Sequence, residues 1–435
     1  MEYAALVALG CFALKLLLIF LRLPIYIAMG VSSFVGMYLI GGPGYTWQQF
    51  STLPFHGTAS YQYAVIPLFI LMGVLAADCG LGEQTYGSIS KLMGSLHGGP
   101  LIATIAGSAV LGACTGTPVA ATAVFTKMSL PELKKRGYDI NMSLACISAA
   151  SNIAVLIPPS VPIVFLCMIT GLSVGRTLIA GIVPGLLVGV LLVITLFIIG
   201  KIDPTAIPKV TVKIDLKEKI ASLKQLIPVA ILFLLVVGGI FVGLFPPSVG
   251  GAVGAAAAFI YGLITRVPVR KMFRSFGEAT MLTGQVYLFL ITAFLFARMV
   301  ALSRLPDYLL EVVVQANLHP YALMAIIIFF FLLLGCVMEV MPVLVIMLPI
   351  IFPLMTNMGF DPTALAIIIV ILSSMGGLTP PVGLGVFLIS TMAKVEPIGV
   401  FRKVWPFFLA MLAAVILIVF IPGIATWLPN AMFGN

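Results

Sequence analysis

Two sets of uncharged oxygens stand beside proline pairs in an otherwise apolar chain. Ser151 and Asn152 precede Pro158 and Pro159, and Ser373, Ser374 and Thr379 precede Pro380 and Pro381, with Gly376 and Gly377 between them. A proline pair removes two N–H donors and clashes with the preceding turn, which frees carbonyls upstream. Irregular backbone of that kind persists in hydrocarbon only where it is buried in protein or lines a wet cavity. The chemistry on offer is binding. Hydroxyl, amide and carbonyl oxygens make a neutral cage that suits Na⁺, while exposed N–H groups at half-helix N-termini suit an anion. Two further stretches supply facing walls: Thr115, Gly116 and Thr117, and the run Gly335 to Glu339, which contains Met338.

The two sets are copies. Pro158 and Pro159 fall on Pro380 and Pro381 in one ungapped register of 222 residues. That register also pairs Cys114 with Cys336, Pro131 with Pro353, Gly137 with Gly359, Asp139 with Asp361, Ser151 with Ser373 and Phe165 with Phe387. Apolar composition produces chance Leu, Ile and Val matches but not this many aligned Pro, Gly and Asp. Two halves, each with one interrupted helix at the same place, are the pattern of a secondary transporter whose binding site lies at the breaks.

The elements that position these groups are membrane helices. Of 435 residues, 61% are hydrophobic and 9% charged, against about 25% charged in a soluble domain. Each helical span takes about 20 apolar residues, and the continuous apolar runs lack the alternation of a β-barrel. The excess of 23 Lys and Arg over 14 Asp and Glu is scattered through loops and not gathered on one face, so no nucleic-acid partner is expected. Six cysteines without a CxxC give no disulfide framework, most of them lying in apolar runs. The first apolar run leads into the next at Pro24 and reads as a retained helix, not a signal peptide.

In order, residues 1–200 form a first repeat with spans near 3–20, 23–40, 62–78 and 178–200, a re-entrant hairpin at about 98–129 and a broken helix at about 142–170. A charged linker or surface helix covers 201–226, where Lys stems can snorkel at the membrane. Residues 227–435 repeat the plan: spans near 227–245, 248–264, 278–301 and 404–426, a hairpin at about 320–357 and a broken helix at about 362–391. Five crossings per half is an odd number, so the second half inserts upside down. The fold class expected is therefore an all-α polytopic membrane protein of two inverted-topology repeats. With the linker in the cytoplasm, 20 of the 23 Lys and Arg lie on that side, which places both termini outside.

Other residues weigh less. Glu339 is an acid deep in a hairpin, and such acids are functional by default; the alternative is a dipole contact with the hairpin's second arm. Asp139 and Asp361 read as helix N-caps. His56, His97 and His319 show no ligand spacing, and no metal other than Na⁺ is expected. Gly171-Leu-Ser-Val-Gly175 matches the nucleophile-elbow pattern, but no strand precedes it and no His or Asp partner is near. A phosphate-binding G-x-x-x-x-G-K-[ST] loop is absent, so any pumping draws on an ion gradient. The chain is not expected to be an enzyme or to carry a cofactor; a membrane hydrolase using Ser173 or Glu339 is the remote alternative.

Leu130-Pro-Glu-Leu-Lys-Lys-Arg-Gly-Tyr-Asp139, Leu156-Ile-Pro-Pro-Ser-Val-Pro162, Ala180-Gly-Ile-Val-Pro-Gly185 and Thr379-Pro-Pro-Val-Gly383 together resemble the large membrane subunit of tripartite ATP-independent periplasmic (TRAP) transporters. The resemblance covers nearly the whole chain. It implies an elevator-type Na⁺ symporter of the bacterial inner membrane, importing carboxylates such as dicarboxylates or sialic acid. It also implies two partners besides the lipid bilayer, a small membrane subunit and a periplasmic solute-binding protein. The chain departs from the family pattern in Thr-Gly-Thr at the first tip, where Ser-Gly-Ser is frequent, and in Gly385, where Asn is common. A stand-alone carboxylate transporter of the same architecture is the alternative.

Overall fold

The computed structural model describes residues 2–94, 96–115, 118–208, 216–380 and 382–434, and the regular structure among them is helical. The first half runs α1 (Glu2–Phe20), α2 (Ile25–His56), α3 (Val65–Asp78), α4 (Leu81–Met93), the hairpin α5 (Gly99–Thr115) and α6 (Pro118–Lys135), the broken helix α7 (Ile140–Ser151) and α8 (Val161–Thr170), then α9 (Val174–Ala180) and α10 (Ile182–Ile202). After α11 (Leu216–Gln225), the second half runs α12 (Ile227–Phe233), α13 (Gly239–Phe241), α14 (Pro247–Ile264), α15 (Val269–Ser303), α16 (Leu305–Gln315), the hairpin α17 (Pro320–Gly335) and α18 (Val340–Asn357), the broken helix α19 (Pro362–Met375) and α20 (Leu384–Ala393), α21 (Pro397–Phe420) and α22 (Gly423–Phe433).

The 222-residue register of the sequence holds element by element: α18 begins and ends that far from α6, and α4, α7 and α8 land on α16, α19 and α20 within two residues. One difference is local. In α2 the helix is interrupted at Gly42, whose φ of 77° only glycine adopts at low cost, just before Pro43. In the register that point falls on Ile264, the last residue of α14, so the chain turns there in both halves; the halves differ at residues 57–64, between α2 and α3, whose counterparts 279–286 lie inside the 35-residue α15.

Nine helices among the described residues are long and apolar enough to span a bilayer. Eight of them contain the spans expected from hydropathy; the ninth, Val340–Asn357, is a hairpin arm. The broken helices are absent from that group because each is split. With 12 and 10 residues, α7 and α8 reach only about 18 and 15 Å, so both pieces are needed to cross about 30 Å of hydrocarbon. The halves interlock: α2 packs on α15 and α3 on α14, while α8 packs on α18 and α20 on α6.

Hydropathy does not anticipate α4 and α16, because both are short and mixed in composition. Helix α4 ties the first hairpin to its surroundings through polar contacts. Glu132 on α6 accepts hydrogen bonds from Tyr86 (3.0 Å) and Ser90 (2.8 Å) and pairs with Arg136 at 2.6 Å. On α4's other side, Tyr261 donates to Gln84 at 2.6 Å and Ser88 to Gln225 at 3.1 Å. At the start of the linker, chiefly the Thr205 hydroxyl (2.5 Å), and then Lys403 (3.3 Å), hold the half-buried Asp203 carboxyl below the usual carboxylate range.

One cation is not a loop cation. Lys15 lies fully buried in α1, its ammonium 3.6 Å from the ring centre of Phe296 and 4.3 Å from that of Phe12. Cation–π contact fastens α1 to α15, and Lys15 drops out of the loop charges that orient the chain.

The broken helices start on the capping aspartates. Asp139 accepts from the Met142 N–H at 2.7 Å and Asp361 from the Ala364 N–H at 2.8 Å. Asp139→Ala and Asp361→Ala should each destabilise the protein by about 1 kcal/mol, read as a lower melting temperature in detergent. A shifted Na⁺ requirement at unchanged stability would instead place these carboxylates in the binding site.

Candidate functional site

The second hairpin tip and the second break meet backbone to backbone. A Cβ on Gly376 would stand 2.3 Å from both Cα and the carbonyl carbon of Gly335, so glycine is required for the contact. The Gly383 N–H donates to the Cys336 carbonyl at 2.8 Å, closing the tip against the residues after the proline pair.

The prolines orphan one carbonyl in each half. A carbonyl at position i of a helix receives its bond from the N–H of i+3 or i+4; for Val155 and Gly377 both of those residues are proline. In the first half the chain repairs the loss itself, because the Ser160 hydroxyl donates to the Val155 carbonyl. In the second half the register puts Val382 at that position, which has no hydroxyl to give. No donor among the described residues reaches the Gly377 carbonyl.

Both breaks and the second tip open on a cavity of about 500 Å³, within the usual range for small-molecule sites of about 300–1,000 Å³. Its walls include the first-turn residues of four helices: Pro118 of α6, Val161 and Pro162 of α8, Val340 of α18 and Leu384 of α20. The N-cap positions of α18 and α20, Glu339 and Gly383, make no side-chain capping bond. Helix N-termini carry partial positive charge and unpaired N–H groups, so the cavity is electrostatically suited to an anion. Asp78, Glu278 and Glu339 also line it, with no Lys or Arg among the lining residues described.

Of the residues singled out from sequence, Asn152, Met338, Glu339, Ser373, Ser374 and Gly377 line this cavity. Ser151, Pro158, Pro159, Gly335 and Gly376 are buried and outside the lining, Thr379 is half-buried, and Pro380 is exposed. Gly116, Thr117 and the side chain of Thr115 lie outside the described residues. The hydroxyls bond back to their own helices: Ser151 to Ile147 (2.8 Å), Ser373 to Ile369 (2.7 Å), Ser374 to Ile371 (2.8 Å) and Thr379 to Gly376 (2.9 Å). Their protons are committed, but each oxygen keeps lone pairs for a cation. Asn152 likewise spends its amide N–H on the Ser148 carbonyl at 2.9 Å, leaving its carbonyl oxygen as the group to offer.

Sequence reasoning missed Ser148. It is 2% exposed and lines the cavity, yet its hydroxyl has no partner among the described residues, a situation that costs about 1–3 kcal/mol. Its position one turn before Asn152 on the same helix face was the available signal. Also missed were Asp78, Glu278 and Gln285, which come from α3 and α15; nothing in their local sequence points to a site.

The model of the family described as "Tripartite ATP-independent periplasmic transporter, DctM component" matches residues 12–424. The chain belongs to this family. Among similar permeases is the C4-dicarboxylate TRAP transporter large permease protein DctM of Pseudomonas aeruginosa, 28% identical over 382 residues, covering 86% of this chain and 88% of that one. Another is the 2,3-diketo-L-gulonate TRAP transporter large permease protein YiaN of Escherichia coli, 28% identical over 371 residues, covering 85% and 87%. The crystal structure of the YdaH transporter of Alcanivorax borkumensis superposes with a TM-score of 0.59 over 93% of this chain and 98% of that one. At 15% identity that likeness shows the fold alone.

This chain is thus a large TRAP permease, a multi-pass membrane protein of a bacterial transporter and not an enzyme. The elbow-like Ser173 has a structural role as the N-cap of α9, accepting from the Arg176 N–H at 3.5 Å.

Proposed function

We propose that this TRAP permease imports a small carboxylate together with Na⁺, moving the solute by an elevator stroke. The convergence of four helix N-termini on one cavity carries the reading, since that field favours an anion. The same cavity supports cation coupling. Three carboxylates and no Lys or Arg among the described lining residues leave an anionic solute short of positive charge unless cations enter with it. The neutral oxygens of Asn152, Ser373 and Ser374 are the donors for Na⁺.

A periplasmic binding protein delivers the solute, and a small membrane subunit braces the permease, in the inner membrane with both termini periplasmic. Hairpins and broken helices (98–176 and 320–394) form the moving body. The remaining spans are the fixed scaffold, and α3 and α15 are its share of the cavity wall.

The test is uptake of labelled carboxylates into liposomes that contain the permease and its small subunit, with binding protein outside. Uptake should follow an inward Na⁺ gradient and stop in choline. Ser374→Ala should raise the Na⁺ concentration for half-maximal uptake about tenfold, because water cannot freely replace a ligand lost from a dehydrated cage. Equal uptake in choline under a proton gradient would refute Na⁺ coupling. Equal uptake without the binding protein would favour the stand-alone transporter.

A further inference from the structure

The base of the second hairpin carries an open groove whose counterpart in the first half is filled by the chain itself. In the 222-residue register His97, Gly98, Tyr138, Asp139 and Gly200 correspond to His319, Pro320, Phe360, Asp361 and Pro422. In the first half the head of the linker, Ala206 and Ile207, seats among these residues and is buried, at 3% and 1% exposed. The Asp139 N–H donates to the Ala206 carbonyl at 3.3 Å. The Ile207 side chain lies 3.5 and 3.9 Å from where Cβ atoms on Gly98 and Gly200 would stand.

In the second half the chain leaves that seat. The residues corresponding to 203–207 are 425–429, which continue as helix α22 and pack on α9 and α19. A groove of about 270 Å³ remains, with Ile418 and Val419 among its apolar lining and His319, Tyr321, Phe360 and Asp361 around them. It is open to the outside: His319, Tyr321 and Asp361 are exposed, and Phe360 is half-buried where Tyr138 is buried. The Asp361 N–H, twin of the one that holds Ala206, has no acceptor among the described residues. Tyr321 stands where the first half has Gly99 and stacks on both His319 (5.4 Å between ring centres) and Phe420 (5.1 Å), a preformed wall for an apolar or prolyl side chain.

The filled twin defines what fits: a short extended stretch with a carbonyl for the Asp361 N–H and an aliphatic side chain for the lining. A lipid tail supplies no carbonyl at that depth and would leave the N–H unpaired. Because the repeats are inverted, the two grooves face opposite sides, and with the linker in the cytoplasm the open one faces the periplasm. We infer that this groove docks an extended apolar segment of the periplasmic solute-binding protein, seated as Ala206 and Ile207 are seated in its twin. This rests on the binding-protein reading above and gives that partner a contact point. Helix α17 runs from the groove to the tip at Gly335, and α19 runs from it to the break, so the docked protein holds the two elements that wall the solute cavity.

The test is surface plasmon resonance on the permease and its small subunit in nanodiscs, with the purified binding protein of the same transporter as analyte. Tyr321→Ala removes the aromatic wall at a position 43% exposed, and Ala364→Phe fills the lining. Each should weaken binding about tenfold or more, the scale of one fully buried aliphatic side chain. Tyr321→Ala should keep the melting temperature, whereas Ile207→Ala in the filled twin should lower it and leave binding unchanged. His319→Cys carrying a benzophenone should cross-link to a binding-protein peptide. Affinity unchanged in both groove variants would overturn the inference and leave the binding-protein reading standing. So would a cross-link to the small subunit or to this chain's own C-terminal residues. A binding protein that does not bind the unmodified permease at all would remove both readings together.

Discussion

Gly376→Ala should abolish transport. The residue is helical, with φ −55° and ψ −33°, so alanine meets no backbone strain there; the obstacle is a Cβ at 2.3 Å from two backbone atoms of Gly335. Backbone cannot swing aside as a long side chain can, and the tip and the break must separate. Overpacking of this kind costs about 1–3 kcal/mol or more, which is roughly tenfold to above 100-fold in a coupled equilibrium. The separation also displaces Gly377, Ser373 and Ser374 from the cavity wall together. Gly189→Ala on α10, outside the cavity lining, serves as comparison, since its Cβ would meet only Ile153 at 3.8 Å, an ordinary contact. Uptake into liposomes and membrane abundance are the measurements. Near-normal uptake by Gly376→Ala would mean that the tip and break are not held together during transport.

A covalent bridge between scaffold and moving body should stop uptake as completely. Val286 on α15 and Met341 on α18 both line the cavity, and their helices pack directly against each other. In an elevator stroke these helices must slide past one another, whereas in a local gate they keep their relation. Cysteines at the two positions, joined by a cleavable bifunctional reagent, should lose uptake at full yield and regain it on cleavage. Stabilisation by Na⁺ should persist in the bridged state, because the oxygen donors proposed for it all belong to the proposed moving body. The described native cysteines are buried, which keeps background labelling low. Undiminished uptake by the fully bridged protein would leave a gate at the tips as the better mechanism.

The sequence by itself determined the elements that covalent geometry controls. Apolar run length selects membrane helices, proline pairs break α7 from α8 and α19 from α20, and Asp139 and Asp361 start the two broken helices because a short carboxylate caps wherever a helix begins. The 222-residue register made the repeat legible, since proline and glycine report backbone conformation and not merely hydrophobicity. Even the orphaned carbonyls of Val155 and Gly377 follow from chain arithmetic. What becomes of them does not. Ser160 returns to the first and Val382 cannot return to the second, and this breaks the symmetry of two sites that look alike in sequence. Which hydroxyls are free was likewise decided only in three dimensions: Ser373, Ser374 and Thr379 satisfy themselves on their own helices, while Ser148 is stranded opposite a glycine of the other half. Asp78, Glu278 and Gln285 enter the wall from helices that hydropathy marks only as spans. A hydrogen bond or a cavity depends on which distant segment fills the adjoining space, and that space is defined by the packing of the two halves, not by the residues that border it in the chain.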